Sequence, residues 1–509
     1  MAHIKRLRTV FRQLINDHVH TNDDKRRQTT KKDKLSDQLP MRDTAPPARL
    51  WGLSLVLGLI GWGCSALRHQ LLQSNAYDLG LFDQWSWLIG SGKEPISSME
   101  NVHLLADHGA WLFYLAGWAY GLFPSIQWLL ASQAMALSLT AIPIWLLARD
   151  AELPPKLCWL SCTLWWLQPV VFNANLFDFH PEVWAMPALA GALWAERQNK
   201  PWLWLTLLLL MLGCRDGLVL ITLGLAIDLA FRKRWRWSLA AFSLSTSWLL
   251  LLSRWLYPFL RGGEGPKAAS RMFSYLGSNL NEILINLLTS PGLIINHLDW
   301  LGGLQYLLFI SIVLAPFWRC RSIPVLMAAT PLLLVNLLSE SSSYRTLIHH
   351  YSLPIAVIAV AGAIDGLSQN PPRRFPWVRL GWVVACWVAL AKPWFFTGPY
   401  LQRLALLPDT RAAITEIKAN DAVLTTSYLV PQLSQRKEIA FARRSMEEVT
   451  KTNRWNILLL NPSDPGWGSS RDRQQQLLDE VQQAGWACKT WPSGLERCER
   501  PPQQTKNKE

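Results

Sequence analysis

Charged residues are scarce in this chain of 509 residues. Asp, Glu, Lys and Arg make up 17% of the sequence, whereas hydrophobic residues make up 50%. Soluble proteins contain about 25% charged residues on average. The apolar residues are also clustered into blocks such as Trp202–Leu212, with short charged stretches between them. The composition therefore argues against an ordinary soluble enzyme and favours a membrane protein.

Motifs of several soluble protein classes are absent as well. The eight cysteines include no Cys-x-x-C pair, which argues against a structural zinc site. The first apolar block begins only at Leu50, which is too late for a secretory signal sequence. Lys and Arg number 50 against 36 Asp and Glu, but they lie mainly in the N-terminal tail and between apolar blocks. This distribution indicates membrane orientation rather than nucleic-acid binding.

The apolar blocks predict an α-helical polytopic membrane protein with about eleven transmembrane helices. Several blocks are short, so they must extend through their polar ends or pack inside the bundle. The predicted spans are residues 50–67, 126–148, 157–172, 183–195, 202–213, 218–231, 238–256, 301–317, 323–338, 353–367 and 378–396.

The Lys and Arg residues of the short loops predict how the chain crosses the plasma (inner) membrane. When the N-terminus is placed in the cytoplasm, every short basic loop also falls on the cytoplasmic side. This orientation requires residues 108–123 to form a juxtamembrane helix rather than a further span. The outer face then receives residues 68–125, 174–181, 214–217, 257–300 and 339–351, and everything after Phe396.

Three further segments flank the transmembrane domain, residues 50–396. Residues 1–49 hold 12 Lys and Arg and few aromatic residues, so they predict a disordered cytoplasmic tail. Residues 397–500 predict a small extracytoplasmic α/β domain, and 501–509 a second disordered tail. The predicted elements of the α/β domain are strands at 422–427, 438–442, 455–460 and 486–491 and a helix at 471–483.

Two cysteines fall inside the predicted α/β domain. Cys488 and Cys498 flank Pro492-Ser493-Gly494, and a hairpin there would bring the two thiols into bonding range. Disulfides persist in oxidising compartments, so this predicted pair agrees with an extracytoplasmic position. No glycine-rich phosphate motif follows the first predicted strand, which argues against nucleotide binding.

The first outer loop opens with Tyr77-Asp78-Leu79-Gly80-Leu81-Phe82-Asp83-Gln84-Trp85, which predicts an interfacial helix. Asp78 comes about ten residues after the first span, within reach of a cavity at the membrane surface. We expect Asp78 to have a functional role there and Asp83 to contact substrate. The alternative is that both acids only cap helices or contact water.

The second outer loop reads Asn175-Leu176-Phe177-Asp178-Phe179-His180-Pro181-Glu182. If the stretch is extended, alternation places Asp178, His180 and Glu182 on one side, where they would offer three ligands to a divalent cation such as Mg²⁺ or Mn²⁺. Pro181 would begin the next helix, with Glu182 in its first turn. The alternative is that these acids only stabilise a helix N-terminus.

Two more outer clusters carry charge. Arg215, in Cys214-Arg215-Asp216-Gly217, is expected to contact an anionic substrate such as a phosphate, unless it only forms a local ion pair. Arg345, His350 and Tyr351, in the cluster before the span at 353–367, are expected to bind substrate, through a phosphate or a metal, unless they are only structural. A basic loop is predicted around Arg261, Lys267 and Arg271. It either closes over a ligand or only connects two helices.

Three motifs resemble the predicted membrane protein family known as domain of unknown function 2079. They are the stretch from Tyr77 to Gln84, the stretch from Phe177 to Glu182, and His350-Tyr351-Ser352-Leu353-Pro354. The resemblance covers about residues 51–441. The chain departs from the family pattern at Gln432, where a histidine is usual, and at Asp107-His108, where the family favours His followed by an aromatic residue and Ser.

The architecture of this family is similar to that of the GT-C glycosyltransferases. The resemblance implies transfer of a sugar from a polyprenyl-phosphate donor to a lipid, polymer or protein acceptor on the outer face. It further implies that Asp78 and Asp178 are catalytic carboxylates, and that Asp178 holds a metal with His180 or Glu182. Membrane lipids are the other expected partners.

Two alternatives to a transferase remain open at the level of sequence. In a transporter or flippase for a lipid or polar solute, Arg215, Asp216 and Asp178 would line the translocation path. Such a protein is expected to carry polar residues at mid-depth and related repeats in its two halves, and we find no convincing internal repeat. The second alternative is a non-catalytic scaffold.

Overall fold

The computed structural model of the chain describes residues 45–263, 272–444 and 449–502. The predicted tails therefore lie almost entirely outside the described residues. From Pro46 onward the chain forms one compact unit.

Helix is present in each of the eleven apolar segments that the sequence predicts as spans. The helices up to the middle of the chain are α1 Ala48–Gln70, α2 Leu81–Gly90, α3 Leu104–His108, α4 Tyr114–Leu122, α5 Gln127–Leu139, α6 Ala141–Asp150, α7 Pro155–Trp166, α8 Pro169–Leu176, α9 Ala185–Arg197, α10 Pro201–Leu212, α11 Val219–Phe231, α12 Trp235–Leu250 and α13 Tyr257–Leu260. The remaining helices are α14 Leu280–Thr289, α15 Pro291–His297, α16 Trp300–Ile312, α17 Ile323–Met327, α18 Thr330–Leu338, α19 Leu353–Gln369, α20 Trp377–Leu390, α21 Leu407–Thr415, α22 Val430–Leu433 and α23 Arg471–Gln483.

By length and composition, four helical stretches among the described residues can cross a membrane: Ala48–Gln70, Gln127–Asp150, Trp235–Leu260 and His350–Gln369. The number is six if two bent helix pairs, α15 with α16 and Cys320–Met327 with α18, each count as one span. The predicted count of about eleven is not confirmed. Helices α9, α10 and α11 have only 12 or 13 residues, which is about 20 Å of helix against a hydrocarbon core of about 30 Å.

Proline breaks one predicted span into two helices. The segment 157–172 is divided between α7 and α8, and Pro169 occupies the first turn of α8. Proline cannot donate the backbone hydrogen bond that would continue α7, but it is tolerated at a helix start. The break turns the chain towards the loop that carries Asp178.

Helix α19 lies at the centre of the bundle. It is buried along almost its whole length, from Leu353 to Leu367, as expected for a helix that is apolar on every side. Nearby, a Cβ at Gly224 of α11 would overlap the carbonyl group of Ala328, which follows α17. Glycine at this position therefore permits the helices around α19 to approach closely.

The C-terminal end of α19 gathers several of the predicted cytoplasmic loops. Asp365 accepts two hydrogen bonds from Arg197, at 2.7 and 2.9 Å. Glu196 forms ion pairs with Arg232 and Arg234. The basic loops thus lie together at one end of the bundle, whereas the N-terminal end of α19 begins beside His350.

The C-terminal region contains a five-stranded mixed sheet in the order β4-β3-β5-β7-β6. Strand β3 is parallel to β4 and β5, whereas β7 is antiparallel to β5 and β6. Cys488 and Cys498 are opposite each other in the β6–β7 register and form the predicted disulfide. The strands are β3 Val423–Thr425, β4 Ile439–Phe441, β5 Ile457–Leu460, β6 Ala487–Thr490 and β7 Glu496–Glu499, and the first loop holds the short hairpin β1 Ile96–Ser97 and β2 Val102–His103.

This sheet packs against the first loop. The Ser98 hydroxyl donates to the carbonyl of Ile439 at 2.8 Å, and Gln84 donates to the carbonyl of Arg436 at 3.1 Å. Buried apolar residues of both parts, including Leu79 and Phe441, belong to one hydrophobic cluster. The sheet therefore lies on the same side of the bundle as the first loop.

Candidate functional site

A cavity of about 720 Å³ lies at the end of the bundle opposite the basic loops. Five of the six segments that the sequence places on the outer face contribute to its wall, counting Glu182 with residues 174–181. Its polar lining residues are Glu100, Asn101, His103, Asp107, His108, Glu182, Arg215, Asp216, Arg261, Asn336, Tyr344, His350 and Tyr351. Its apolar lining includes Leu218, Leu220, Leu260, Phe273, Leu332 and Val335. The cavity therefore combines a charged wall with an apolar wall.

Asp78 lies in a π-helical turn, Ala76–Gly80, that leads into α2. Its Oδ1 atom is 3.1 Å from Nε2 of His180, and 29% of its side chain is exposed. Burial disfavours the charged form, but the hydrogen bond and charge of His180, together with His350 and His349, hold the pKa of Asp78 below its usual value. Asp78 is therefore an ionised carboxylate, and part of its side chain is accessible to solvent.

Asp178 is enclosed, in contrast to Asp78. Its Oδ1 atom accepts a hydrogen bond from Nη1 of Arg68 at 2.5 Å, and its Oδ2 atom accepts one from the backbone of Asn75 at 2.9 Å. Its side chain has no exposed surface. Its φ of 55° lies in the left-handed region, which Asp occupies more readily than most residues but which still needs support from its surroundings.

Two stacked imidazoles connect Asp78 to the cavity. The rings of His180 and His350 are 3.7 Å apart between centroids, with an interplanar angle of 26°. Nε2 of His350 lies 3.0 Å from Oε1 of Glu182, and Arg215 forms an ion pair with the same oxygen. Asp78 and His180 do not themselves line the cavity, but they adjoin its wall through His350.

Arg215 and Glu182 are a charged pair in the cavity wall. Burial works against both charges, yet Arg215 and His350 hold the pKa of Glu182 well below its usual value. Glu182 in turn raises the pKa of Arg215, against the effect of burial. Both side chains are therefore charged at neutral pH, and the guanidinium is a cation that faces the cavity.

The three expected metal ligands do not converge. Asp178 pairs with Arg68, His180 with Asp78, and Glu182 with Arg215 and His350. The expected alternation fails because the left-handed backbone at Asp178 interrupts the extended stretch. In the part of the chain that the structure describes, no three or more His, Cys, Asp or Glu residues form a metal-binding group. The residues present do not fit a divalent cation without exchanging these partners.

Asp83 lies outside the cavity lining and is 1% exposed. Its carboxylate accepts hydrogen bonds from Tyr120 at 2.5 Å, Ser434 at 2.6 Å and Gln435 at 3.2 Å. Burial raises its pKa to about 6 despite these donors. Asp83 thus joins the first loop to the segment beside α22, and its geometry does not place it against a ligand in the cavity.

Arg345 also lies outside the cavity lining. Its guanidinium donates to the carbonyl of Ser339 at 2.5 Å and to Asp299 at 3.2 Å. Tyr351, by contrast, lines the cavity, and its ring stacks on Tyr344 at 3.9 Å. Of the predicted substrate-binding residues, Arg215, His350 and Tyr351 are therefore brought together, whereas Asp83 and Arg345 are not.

Several cavity residues carried only a weak signal in the sequence. Asp107 lines the cavity, and His108, Arg215 and Arg261 lower its pKa to about 2 although burial opposes this shift. Asp216 also lines the cavity and accepts hydrogen bonds from the Tyr257 hydroxyl and the backbone of Gly217. The available signal was their position in loops that the sequence predicts to lie on the outer face. Residues 267 and 271 of the predicted basic loop lie outside the described residues.

Gln432, one of the two departures from the family pattern, contacts the end of the first apolar helix. Its side-chain amide donates to the carbonyl of His69 at 3.1 Å and lies 3.1 Å from Nε2 of the same residue. The position therefore links α22 to α1, close to Arg68.

The model of the family of predicted membrane proteins DUF2079 matches residues 68–497. The chain belongs to this family. A search of curated proteins finds no match. The matched residues include both carboxylates, the stacked histidines and the C-terminal sheet.

Two solved structures have a similar fold. The structure of ArnT from Cupriavidus metallidurans bound to undecaprenyl phosphate aligns with a TM-score of 0.55 at 12% identity, covering 90% of this chain and 100% of that chain. The structure of the same protein in the apo state aligns with a TM-score of 0.51 at 11% identity, covering 88% and 98%. The fold of this membrane protein agrees with the GT-C-like architecture that the family resemblance implies.

Proposed function

We propose that this protein is a GT-C-type glycosyltransferase that moves a sugar from a polyprenyl-phosphate donor to a lipid, polymer or protein acceptor. The observation that carries the proposal is the convergence of five separate loops on one cavity that has a charged wall and an apolar wall. Such a cavity suits a ligand with a phosphate head and a long hydrocarbon tail. The similarity to a protein bound to undecaprenyl phosphate supports the same class of lipid.

Asp78 is the proposed general base. It is ionised and partly exposed, and it adjoins the cavity wall through His180 and His350. In the transfer step, the acceptor oxygen forms a bond to the anomeric carbon and gives its proton to the Asp78 carboxylate. The bond between the anomeric carbon and the phosphate oxygen breaks, and the lipid phosphate leaves with the electron pair.

Arg215 is the proposed partner of the lipid phosphate. Its guanidinium faces the cavity, where it neutralises the negative charge that develops on the leaving group. Glu182 and His350 hold the guanidinium in place. This arrangement supplies positive charge at the leaving group from the chain itself.

Asp178 is proposed to be a positioning residue rather than a second base. It has no exposed surface, and both of its oxygens are already engaged by Arg68 and Asn75. It fixes the loop from Phe177 to Glu182 against the end of α1. His180 is thereby held where its Nε2 atom meets Asp78.

The distribution of charge favours a transferase over a transporter. The polar lining of the cavity lies at one end of the bundle, whereas the other end holds Asp365 paired with Arg197 and Glu196 paired with Arg232 and Arg234. A translocation path along the central helix α19 would need polar side chains that continue through its middle. Those positions are buried apolar residues, from Leu353 to Ile364.

The proposal is tested by labelling. Membranes carrying wild type, Asp78→Asn or Asp472→Asn are incubated with a panel of radiolabelled polyprenyl-phosphate sugars, and incorporation into lipid, polymer and protein is counted at matched expression. Asp472 is an exposed carboxylate in α23 and serves as the control. We expect wild type and Asp472→Asn to incorporate label and Asp78→Asn to lose at least about 100-fold, the usual contribution of a general base. Equal labelling by all three and by membranes without the protein would overturn the proposal.

A further inference from the structure

Helices α14 and α15 expose a large apolar surface. Leu284, Ile285 and Leu288 of α14 are 51%, 59% and 83% exposed, and Ile295 of α15 is 56% exposed. Between residues 280 and 297 the only Asp, Glu, Lys or Arg is Glu282. Helix α14 has 10 residues, about 15 Å of helix, which is too short to cross a hydrocarbon core of about 30 Å. A helix this short and this apolar needs an apolar environment, but it cannot cross a bilayer.

The side chains of α14 are sorted around the helix axis. At about 100° per residue, Leu284, Ile285 and Leu288 lie within an arc of about 100°. Ile283 points to the protein and is buried. Glu282 and Thr289 lie on the remaining side, where Glu282 accepts hydrogen bonds from the residues that precede the helix. One side thus contacts protein, one is polar and one is apolar and uncovered by the described residues.

The bend between α15 and α16 sets the orientation of α15. The two helix axes differ by 79°. Helix α16 has 13 residues and exposes Leu301, Leu304 and Leu308 along one side, and we take it to run along the membrane normal with that side against lipid. Helix α15 must then run nearly parallel to the membrane plane. Trp300 is at the bend and is 54% exposed, and tryptophan is typical of the membrane–water interface.

We propose that α14 and α15 lie flat in the membrane–water interface, with Leu284, Ile285 and Leu288 inserted among the acyl chains of the leaflet next to the cavity. Helices with one polar and one apolar face lie at this level of a bilayer, with the apolar face buried at the boundary of headgroups and acyl chains. The insertion does not depend on the proposed transferase activity. A second copy of the chain on the same face and exposure to water are the competing arrangements.

The segment is also connected to the cavity wall. The Asn286 amide donates to the carbonyl of Leu276 at 2.7 Å, and Met272 and Phe273, just before this turn, line the cavity. Tyr275 stacks on His297 at the end of α15, with 4.9 Å between ring centroids. Because α14 and α15 lie in the interface, the side of the cavity that Met272 and Phe273 line is at the level of the lipid headgroups.

Depth-dependent fluorescence quenching tests the placement. Leu288→Cys, Ile285→Cys and the control Thr289→Cys are made in a background without the exposed Cys320, labelled with bimane and reconstituted into phosphatidylcholine and phosphatidylglycerol vesicles. The lipids carry a doxyl group at acyl carbon 5 or 12, and iodide is the aqueous quencher. Thr289 is exposed on the polar side of the same helix, one residue from Leu288.

We expect positions 285 and 288 to be quenched more strongly by the shallow doxyl group than by the deep one, and at least threefold less by iodide than position 289. Equal quenching by iodide at all three positions would overturn the proposal in favour of water. Protection of 285 and 288 from iodide and from both lipid quenchers would overturn it in favour of a second copy. Stronger quenching by the deep doxyl group would show a spanning rather than a flat segment.

Discussion

Arg68 and Asp178 form a buried ion pair, with Nη1 and Oδ1 2.5 Å apart, across 110 residues of sequence. The pair joins the end of α1 to the loop that carries His180. Arg68 also lies 6.0 Å from the centre of the Phe177 ring and 5.6 Å from that of Tyr400. The first apolar helix, the second outer loop and the segment before the sheet therefore meet at one guanidinium.

The two candidate carboxylates should differ in their effect on stability. Asp178→Asn leaves Arg68 as an uncompensated buried charge, which costs about 3–5 kcal/mol, and the thermal unfolding midpoint should fall. Asp78→Asn should lower the midpoint less, because Asp78 is partly exposed and the amide can still contact His180. Fluorescence-detected unfolding in detergent measures both. The double variant Arg68→Met with Asp178→Asn should recover stability, and equal losses for the two single variants would contradict the positioning role.

Arg215 should control affinity for the lipid phosphate. Arg215→Gln removes a charge-assisted hydrogen bond worth about 1.5–3 kcal/mol, so binding of undecaprenyl phosphate should weaken by about 10- to 100-fold. Arg215→Lys should lose less, because it keeps the charge but not the planar donor group. Arg345→Gln is the control, since Arg345 is held by Asp299 and Ser339 away from the cavity. Unchanged affinity in Arg215→Gln, or an equal loss in Arg345→Gln, would refute this assignment.

Asp83 predicts a pH dependence of stability. Burial raises its pKa to about 6, so the folded state favours the neutral carboxyl relative to the unfolded chain, in which the value is about 4. Its contribution is full below about pH 4 and is lost as the pH rises through about 6, with an upper bound of about 3 kcal/mol. The unfolding midpoint of wild type should fall between pH 4 and pH 7, and Asp83→Asn should remove this part of the slope. An identical slope in both proteins would rule it out.

The disulfide gives a test of both stability and topology. Cys488 and Cys498 are 10 residues apart in sequence, and replacing both by Ser should lower stability by about 2–3 kcal/mol. In intact cells, mild reduction should make the exposed Cys488 reactive towards a membrane-impermeant maleimide, whereas Cys498 is buried. Cys320, exposed in a loop predicted to be cytoplasmic, should be labelled only after permeabilisation. Labelling of Cys320 without permeabilisation would contradict the proposed orientation.

Local patterns predicted the C-terminal region well. Helix α23 has the predicted bounds, and β3, β4, β5 and β6 fall inside predicted strands, because alternation and capping act over a few residues. Strand β7, Glu-Arg-Cys-Glu, was missed since its polar sequence has no apolar alternation. It is a strand because β5 and β6 pair with it on either side.

The sequence singled out several residues of the candidate site but not how they pair. Spacing identified Asp78, His180 and Arg215, but it could not show that His180 meets Asp78 across 102 residues or that Asp83 meets Ser434 across 351. The left-handed backbone at Asp178 was equally invisible, since one residue's φ is decided here by the distant Arg68 and Asn75. Hydropathy located the apolar helices, but it did not show which of them are long enough to cross a membrane.

The central claim is tested most directly with purified protein in vesicles. Synthetic polyprenyl-phosphate sugars are added, and the release of free polyprenyl phosphate and the labelled product are followed by mass spectrometry for wild type and Asp78→Asn, with the unfolding midpoint as the control for folding. The account predicts product with wild type and at least about 100-fold less with Asp78→Asn, at a midpoint that shows the variant to be folded. Equal product from the two proteins, or movement of intact donor across the bilayer with no cleavage of the sugar–phosphate bond, would contradict it.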